Sequence, residues 1–290
     1  FYSGDDTKGE YVYKFVPSGR FVPGADAANR RLLDEGTLYV ARFDADGSGQ
    51  WLALVHGEHG LTAENGFPSQ AEVLLNARSA ADRAGATPMD RPEWVAVHPD
   101  TREVYVTLTN NDARGTKQPL DKANLRPNNL HGQILRWQEE GGDPTATRFL
   151  WEVFLLAGER RGARDAQGQP VASNLIGTID GDIFSSPDGL AFDRDGRLWI
   201  ETDFDDDESV MQAMGTNQLL CADPKTREVR RFLVGPRGCE ITGITWSPDY
   251  RAMWVNVQHP GLSFPASDGQ SRPRSSTVLI TKDDGGVIGS

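Results

Sequence analysis

Apolar and polar positions alternate along much of this chain in short runs, with Gly, Pro, Asn and Asp gathered between them. A period of two is that of a strand with one covered face, so the pattern predicts many short antiparallel strands. Two runs share more than alternation. Pro92-Glu93-Trp94-Val95-Ala96-Val97-His98-Pro99-Asp100 is echoed by Pro187-Asp188-Gly189-Leu190-Ala191-Phe192-Asp193-Arg194-Asp195, and each opens on a proline followed by a carboxylate. A third copy, Thr242-Gly243-Ile244-Thr245-Trp246-Ser247-Pro248-Asp249, keeps the spacing but carries its acid two residues earlier, at Glu240. A displacement of two keeps a side chain on the same face of a strand, so the three acids are expected to face one way.

Hairpin patterns fill the intervals. Gly36–Phe43 leads through a polar turn to Trp51–Val55, His131–Trp137 to Phe149–Phe154, and Asn217–Asp223 to Val229–Val234. Headed strand pair, outer hairpin, headed strand pair again is the rhythm of β-propeller blades. The spacing is uneven because of polar insertions at Thr109–Asn129 and Gly158–Phe184, loops of the kind that carry binding residues on a rigid scaffold. One helix is predicted, over about 69–84: Ser69-x-x-Glu72 matches a capping box, and Gly85 can end the helix. Ala71, Leu74, Leu75, Arg78 and Ala81 are expected along one of its faces. The expected fold is all-β, one partial β-propeller domain over 1–290 with about three to four blades, fewer than most closed rings hold.

Composition narrows the function. Acids outnumber bases 42 to 30 and the formal charge is −12, which argues against nucleic acid as a partner. An anionic substrate is disfavoured too, unless bound cations reverse the local sign. No apolar run approaches the ~20 residues of a membrane span. The two cysteines, Cys221 and Cys239, fit either a disulfide or two free thiols. The first residues, Phe1–Asp5, read like the inside of a domain, so the chain is expected to begin partway through a larger protein or to have had an upstream segment removed.

The headed strands carry the candidate chemistry. If they are successive inner strands, Glu93, Asp188 and Glu240 converge on one axis, and clustered anionic ligands call for cations between them. Arg91, two residues before Glu93, is placed to clamp a phosphoryl oxygen, the alternative being a structural ion pair. For Asp188 the competing reading is a plain Pro-Asp-Gly turn, and for Glu240 a structural hydrogen bond. The acidic run Glu201–Glu208 follows the second copy; it reads as a solvated loop in which Asp203, at the strand end, is near enough to reach a cation. Asp44-Ala45-Asp46-Gly47 opens like a calcium loop but has Val55 where a bidentate Glu is needed, so it is a hairpin turn. The five histidines show no paired metal spacing apart from His56/His59, beside a turn, and no Gly-x-Ser-x-Gly elbow, phosphate loop or Cys-x-x-Cys occurs.

At these residues the chain resembles the PhoX family of bacterial secreted alkaline phosphatases. The similarity is carried by Gly36–Phe43, Thr62–Phe67, Met89-Asp90-Arg91-Pro92-Glu93-Trp94, Thr107–Asn111, Gly132–Trp137, Pro187-Asp188-Gly189 and Asn256-Val257-Gln258-His259-Pro260-Gly261. The resemblance implies a six-bladed propeller whose axis holds calcium and iron and hydrolyses small-molecule phosphate monoesters. It implies metal ligands at Glu93, Asp188 and Glu240 and a phosphate-contacting Arg91. Export folded by the twin-arginine route, to the periplasm or beyond, comes with it. Only the C-terminal half of the family pattern is present; the other half carries further ligands, including a cysteine that bridges the iron ions, so an incomplete metal cluster is expected in this chain, with the missing N-terminal half as a partner. Two other readings compete: a calcium-dependent propeller lactonase of the gluconolactonase type, and a non-catalytic calcium-binding propeller.

Overall fold

The structure, a computed structural model, describes residues 1–205 and 212–290. Its strands form four antiparallel meanders. The first comprises β1 (Tyr2–Gly4), β2 (Val12–Pro17), β3 (Gly36–Phe43) and β4 (Ser48–Ala53). The second comprises β5 (Pro92–Val97), β6 (Val104–Leu108), β7 (Gln133–Glu139) and β8 (Arg148–Leu156). Their outer strands pair, Ser48 to Gln50 against Leu150 to Arg148, and so fuse the two meanders into one eight-stranded sheet. In the third, a short β9 (Asp180–Gly181) precedes β10 (Pro187–Phe192), β11 (Leu198–Thr202), β12 (Gln218–Ala222) and β13 (Glu228–Val234), and β9 returns to pair parallel with β13. The fourth has three strands, β14 (Glu240–Trp246), β15 (Ala252–Gln258) and β16 (Ser276–Thr281).

The first strands of the meanders, β1, β5, β10 and β14, stand side by side. This is the inner wall of a propeller-like fold, and its blades are stapled by apolar layers between them. Phe43, Trp51, Trp137 and Phe149 fill the first layer, Tyr105, Phe154, Leu198 and Ile200 the second, and Trp199, Leu219, Ile241 and Met253 the third. Each such side chain contributes about 1.5–3 kcal/mol by leaving water. The alternation that predicted strands is thus spent on blade-to-blade packing.

The predicted helix is two. Helix α1 (Asp26–Asn29) is a single turn; α2 (Gln70–Leu75) and α3 (Ala77–Ala84) take the place of one continuous helix. Ser69 does cap it, accepting from the Glu72 amide, and Gly85 ends it in a left-handed conformation. The break is at Asn76, whose side-chain amide donates to the Glu72 carbonyl and competes with the helical ladder. The covered face also differs. Val73, Ala80 and Ala81 are buried, whereas Leu74 and Leu75, on the same short helix as Val73, face solvent.

Candidate active site

Each headed strand begins with the same irregularity. The register slips by one residue between Pro92 and Val95, between Pro187 and Leu190, and between Thr242 and Thr245. Such bulges re-aim side chains at the ends of sheets. Glu93 and Asp188 occupy equivalent places in their bulges, and the third such place belongs to Gly243. Glu240 therefore stands three residues before its counterpart, not two. It reaches the same end of the wall because β14 extends two residues past its bulge, pairing Glu240 with Gln258.

The residues before the two prolines are both left-handed, Arg91 at φ 54° and Ser186 at φ 49°. Proline disfavours a helical conformation in its predecessor, so this backbone is strained and must be held by its surroundings. It is. Behind Arg91, the Asp90 carboxylate accepts from Arg114 Nε (2.7 Å), Asn111 Nδ2 (2.8 Å) and Asn129 Nδ2 (2.9 Å), all fully buried. The insertion at Thr109–Asn129 is what supplies these three donors. Around Ser186, its amide donates to the His131 carbonyl (2.8 Å) and its carbonyl accepts from the Asp203 amide (3.1 Å). Thr107 and Thr109 of the neighbouring blade donate to the carbonyls of Asp188 (2.6 Å) and Pro187 (3.0 Å).

The wall therefore gathers acids. Arg91 forks onto Asp6, just past β1, at 2.8 and 3.1 Å, and also reaches Glu93 Oε1 at 3.2 Å. Gly4 permits this approach: a Cβ there would lie 2.2 Å from the Pro92 carbonyl oxygen. Burial, the hydrogen bond with Asp6 and the charge of Asp188 push Glu93 up to about 9. Burial, then the charges of Asp203, Glu240 and Asp6, push Asp188 to about 7. Burial pushes Glu201 to about 8, with Asp188 and Glu240 adding to it. Asp203 and Glu240 are raised as well, again by burial first. The Glu201 carboxylate has no partner within ordinary hydrogen-bond geometry, although the Gly243 and Ile244 amides are near enough to favour its charged form. It lies against Gly189, where a Cβ would meet Oε2 at 2.1 Å.

Glu93, Asp188 and Glu240 are thus brought to one end of the wall, with Arg91 among them. Asp6 and Glu201 were missed in the sequence. Asp6 precedes no headed strand, and Glu201 sits on β11, the partner of a headed strand; the signal for Asp6 was its place beside a short strand carrying Gly4. Asp206, Asp207 and Glu208 of the acidic run lie outside the described residues. A cavity of about 350 Å3 opens beside Arg91, bordered by Lys8, Asn110, Asp112, Ser186 and Asp203. A larger hollow of about 450 Å3, bordered by Gln138, Gly141 and Leu150, lies on the outer strands away from the strand heads. Among the described residues no three His, Cys, Asp or Glu side chains already close on one point as a metal site. The donor set nonetheless fits hard cations. Six carboxylates come from four blades, both Glu201 oxygens are buried without partners, and Arg91 is the principal countercharge. Cys221 and Cys239 are thiols, with no disulfide between them.

The family described as alkaline phosphatase PhoX matches residues 1–261. This chain belongs to the PhoX family. In the solved structure of Pseudomonas fluorescens PhoX in complex with vanadate, a transition-state analogue, 46% of residues are identical; the match covers 99% of this chain and 51% of that one, with a TM-score of 0.90. The chain thus spans about half the length of that PhoX. A putative oxidoreductase (glucose dehydrogenase) from Thermus thermophilus aligns over 93% of this chain and 66% of its own at 14% identity, with a TM-score of 0.40. No curated protein matches.

Proposed function

We propose that this chain forms the acid-rich half of the active site of a metal-dependent phosphate monoester hydrolase. The observation that carries the reading is the convergence of Glu93, Asp188 and Glu240 around Arg91, in a chain 46% identical to a PhoX that binds vanadate. Carboxylates that raise one another's pKa are an unfavourable arrangement by themselves, and multivalent cations remove the penalty. Glu93, Asp188 and Glu240, with Asp6, Glu201 and Asp203, are the oxygen donors that would hold them. Calcium suits the set; iron rests on the family likeness. Bound there, such ions would neutralise a phosphoryl group and lower the pKa of a water.

The chain's own residues supply orientation. Asp6 holds the Nε/Nη2 side of the Arg91 guanidinium by two hydrogen bonds, so that Nη1 is the donor aimed at a phosphoryl oxygen. The strained backbone at Arg91 is fixed by the Asp90 network, so the guanidinium needs little reorganisation as charge grows on the phosphoryl oxygens. Glu93 accepts from the same guanidinium and prevents it from swinging out. The small cavity beside Arg91, bordered by Lys8, Ser186 and Asp203, accommodates a phosphoryl group, which fits phosphate monoesters as substrates. Among the described residues no helix is long and apolar enough to cross a membrane. Export in folded form to the periplasm or the medium follows the family pattern, as does a second propeller half to complete the ring.

The test is hydrolysis of p-nitrophenyl phosphate by the full-length protein, with both propeller halves, supplied with calcium and iron. Glu93→Ala should lower kcat by about 10²-fold or more while the circular dichroism spectrum is kept. Activity that survives both chelator and this substitution would reject the proposal. Hydrolysis of lactones in place of phosphate esters would favour the gluconolactonase-type reading, and calcium raising the melting temperature with no hydrolysis at all would favour a binding role.

A further inference from the structure

A second cavity, of about 370 Å3, adjoins the one beside Arg91. Asp203, Phe204 and Asp205 border both, so the two hollows share a wall; the far side of the second is formed by Gly238, Glu240 and His259. His259 directly follows β15 at φ 50° and precedes Pro260. Among the described residues, three non-glycine residues combine a left-handed backbone with a following proline: Arg91, Ser186 and His259. Each of the three borders one of these two cavities. The conformation is doubly disfavoured, and such strain collects where a side chain must be aimed.

Its neighbour decides which imidazole nitrogen carries the proton. Gln258 Nε2 donates to Glu240 Oε2 at 2.7 Å and lies 3.0 Å from His259 Nε2. The reverse orientation of that amide would set its oxygen against the Glu240 carboxylate, so the nitrogen faces both groups. An amide nitrogen only donates, so His259 Nε2 accepts, and the neutral imidazole keeps its hydrogen on Nδ1. The ring is exposed at the cavity rim with one N–H donor left over.

On the reading of the site as a phosphate-ester hydrolase, we infer that the His259 cavity receives the leaving alcohol and that His259 donates its Nδ1–H to the ester oxygen. With the phosphoryl group on Arg91, the ester's organic part extends over Asp203 into the second cavity. As a water oxygen bonds to phosphorus, the bond from phosphorus to the ester oxygen breaks and its electron pair stays on that oxygen. The imidazole N–H stabilises the developing negative charge by a hydrogen bond and keeps its proton; the attacking water releases one proton and the leaving alkoxide takes one up through solvent, so the balance closes.

The experiment compares leaving groups. Kinetics of the metal-loaded wild type, His259→Ala and His259→Asn are measured on p-nitrophenyl phosphate and on phenyl phosphate, whose leaving oxygen is far more basic. His259→Ala should lose about 10²-fold in kcat on phenyl phosphate and only a few-fold on p-nitrophenyl phosphate. His259→Asn, which keeps an N–H donor and tolerates the left-handed backbone, should recover part of the loss. Competitive inhibition by inorganic phosphate, a tetrahedral anion with no leaving oxygen, should change less than about twofold. Equal losses on both esters, or a parallel fall in phosphate affinity, would overturn the inference. If His259→Ala does not fold, His259→Gly removes the donor while relieving the backbone and takes its place. A metal-loaded full-length wild type, with both propeller halves, that hydrolyses neither ester would instead reject the phosphatase reading itself.

Discussion

Two sets of buried acids in this chain are treated in opposite ways. In the layer between the first two blades, Glu139 accepts from the Tyr2 hydroxyl (2.7 Å) and from Trp51 Nε1 (3.1 Å) and pairs with Lys14 at 3.2 Å. Lys14 in turn lies over the Trp51 ring and donates to the Ala146 carbonyl. In the third blade, Asp193 accepts from Arg197 Nε and from Trp199 Nε1. At the strand heads, by contrast, Glu201 lacks such partners, and Glu93, Asp188 and Glu240 face one another. A carboxylate that serves the fold is given its donors by the fold. On the proposed reading, the carboxylates left short of donors are the ones that serve a ligand.

The comparison breaks most visibly at Glu139. Glu139→Ala strands the Lys14 ammonium in an aromatic cage, and the chain should lose about 3–5 kcal/mol of stability in a denaturant melt. Catalysis by the fraction that remains folded should be unchanged. A loss under about 1 kcal/mol would mean that Lys14 finds another partner and that Glu139 does not belong to the structural set.

Next in size is the response to pH once metals are chelated. Glu93, Asp188 and Glu201 have folded pKa values of about 9, 7 and 8, above those of an unfolded chain. The folded state therefore holds protons that the unfolded state has already released. This contribution is fully present below about pH 4 and is lost as pH rises through 7 to 9. The melting temperature of the chelated protein should fall by several degrees across that window, and calcium should restore it. A flat profile under chelation would remove the distinction between the two sets.

The smallest effect sharpens it. Glu201→Gln replaces a buried charge by a neutral amide of the same shape, so at about pH 9 the metal-free protein should gain about 1 kcal/mol. The same change should weaken stabilisation by calcium, measured as the shift in melting temperature. Destabilisation by Glu201→Gln in chelator would place Glu201 with Glu139.

Much of this was legible in the chain. Periodicity two and the recurring Pro-acid heads sufficed for blades, because a blade is a local meander and its strands are neighbours in sequence. Glu93 and Asp188 were legible because repetition singled them out against a background of ordinary turns. Asp6 and Glu201 were not, since neither sits in the repeated position and their significance comes only from what the other blades bring beside them. The helix pattern failed at Asn76, where one side-chain hydrogen bond to the backbone outweighs a favourable run of alanines.

The amino-acid order alone determined that the chain would be a succession of antiparallel β-meanders with acids at strand heads, since both follow from local alternation and turn chemistry. Only the tertiary structure decided which acids are satisfied and which are not. That distinction depends on donors far away in sequence, such as Lys14 for Glu139 or Asn111 and Asn129 for Asp90. No local pattern encodes the distance between a carboxylate and a donor on another blade; packing alone sets it.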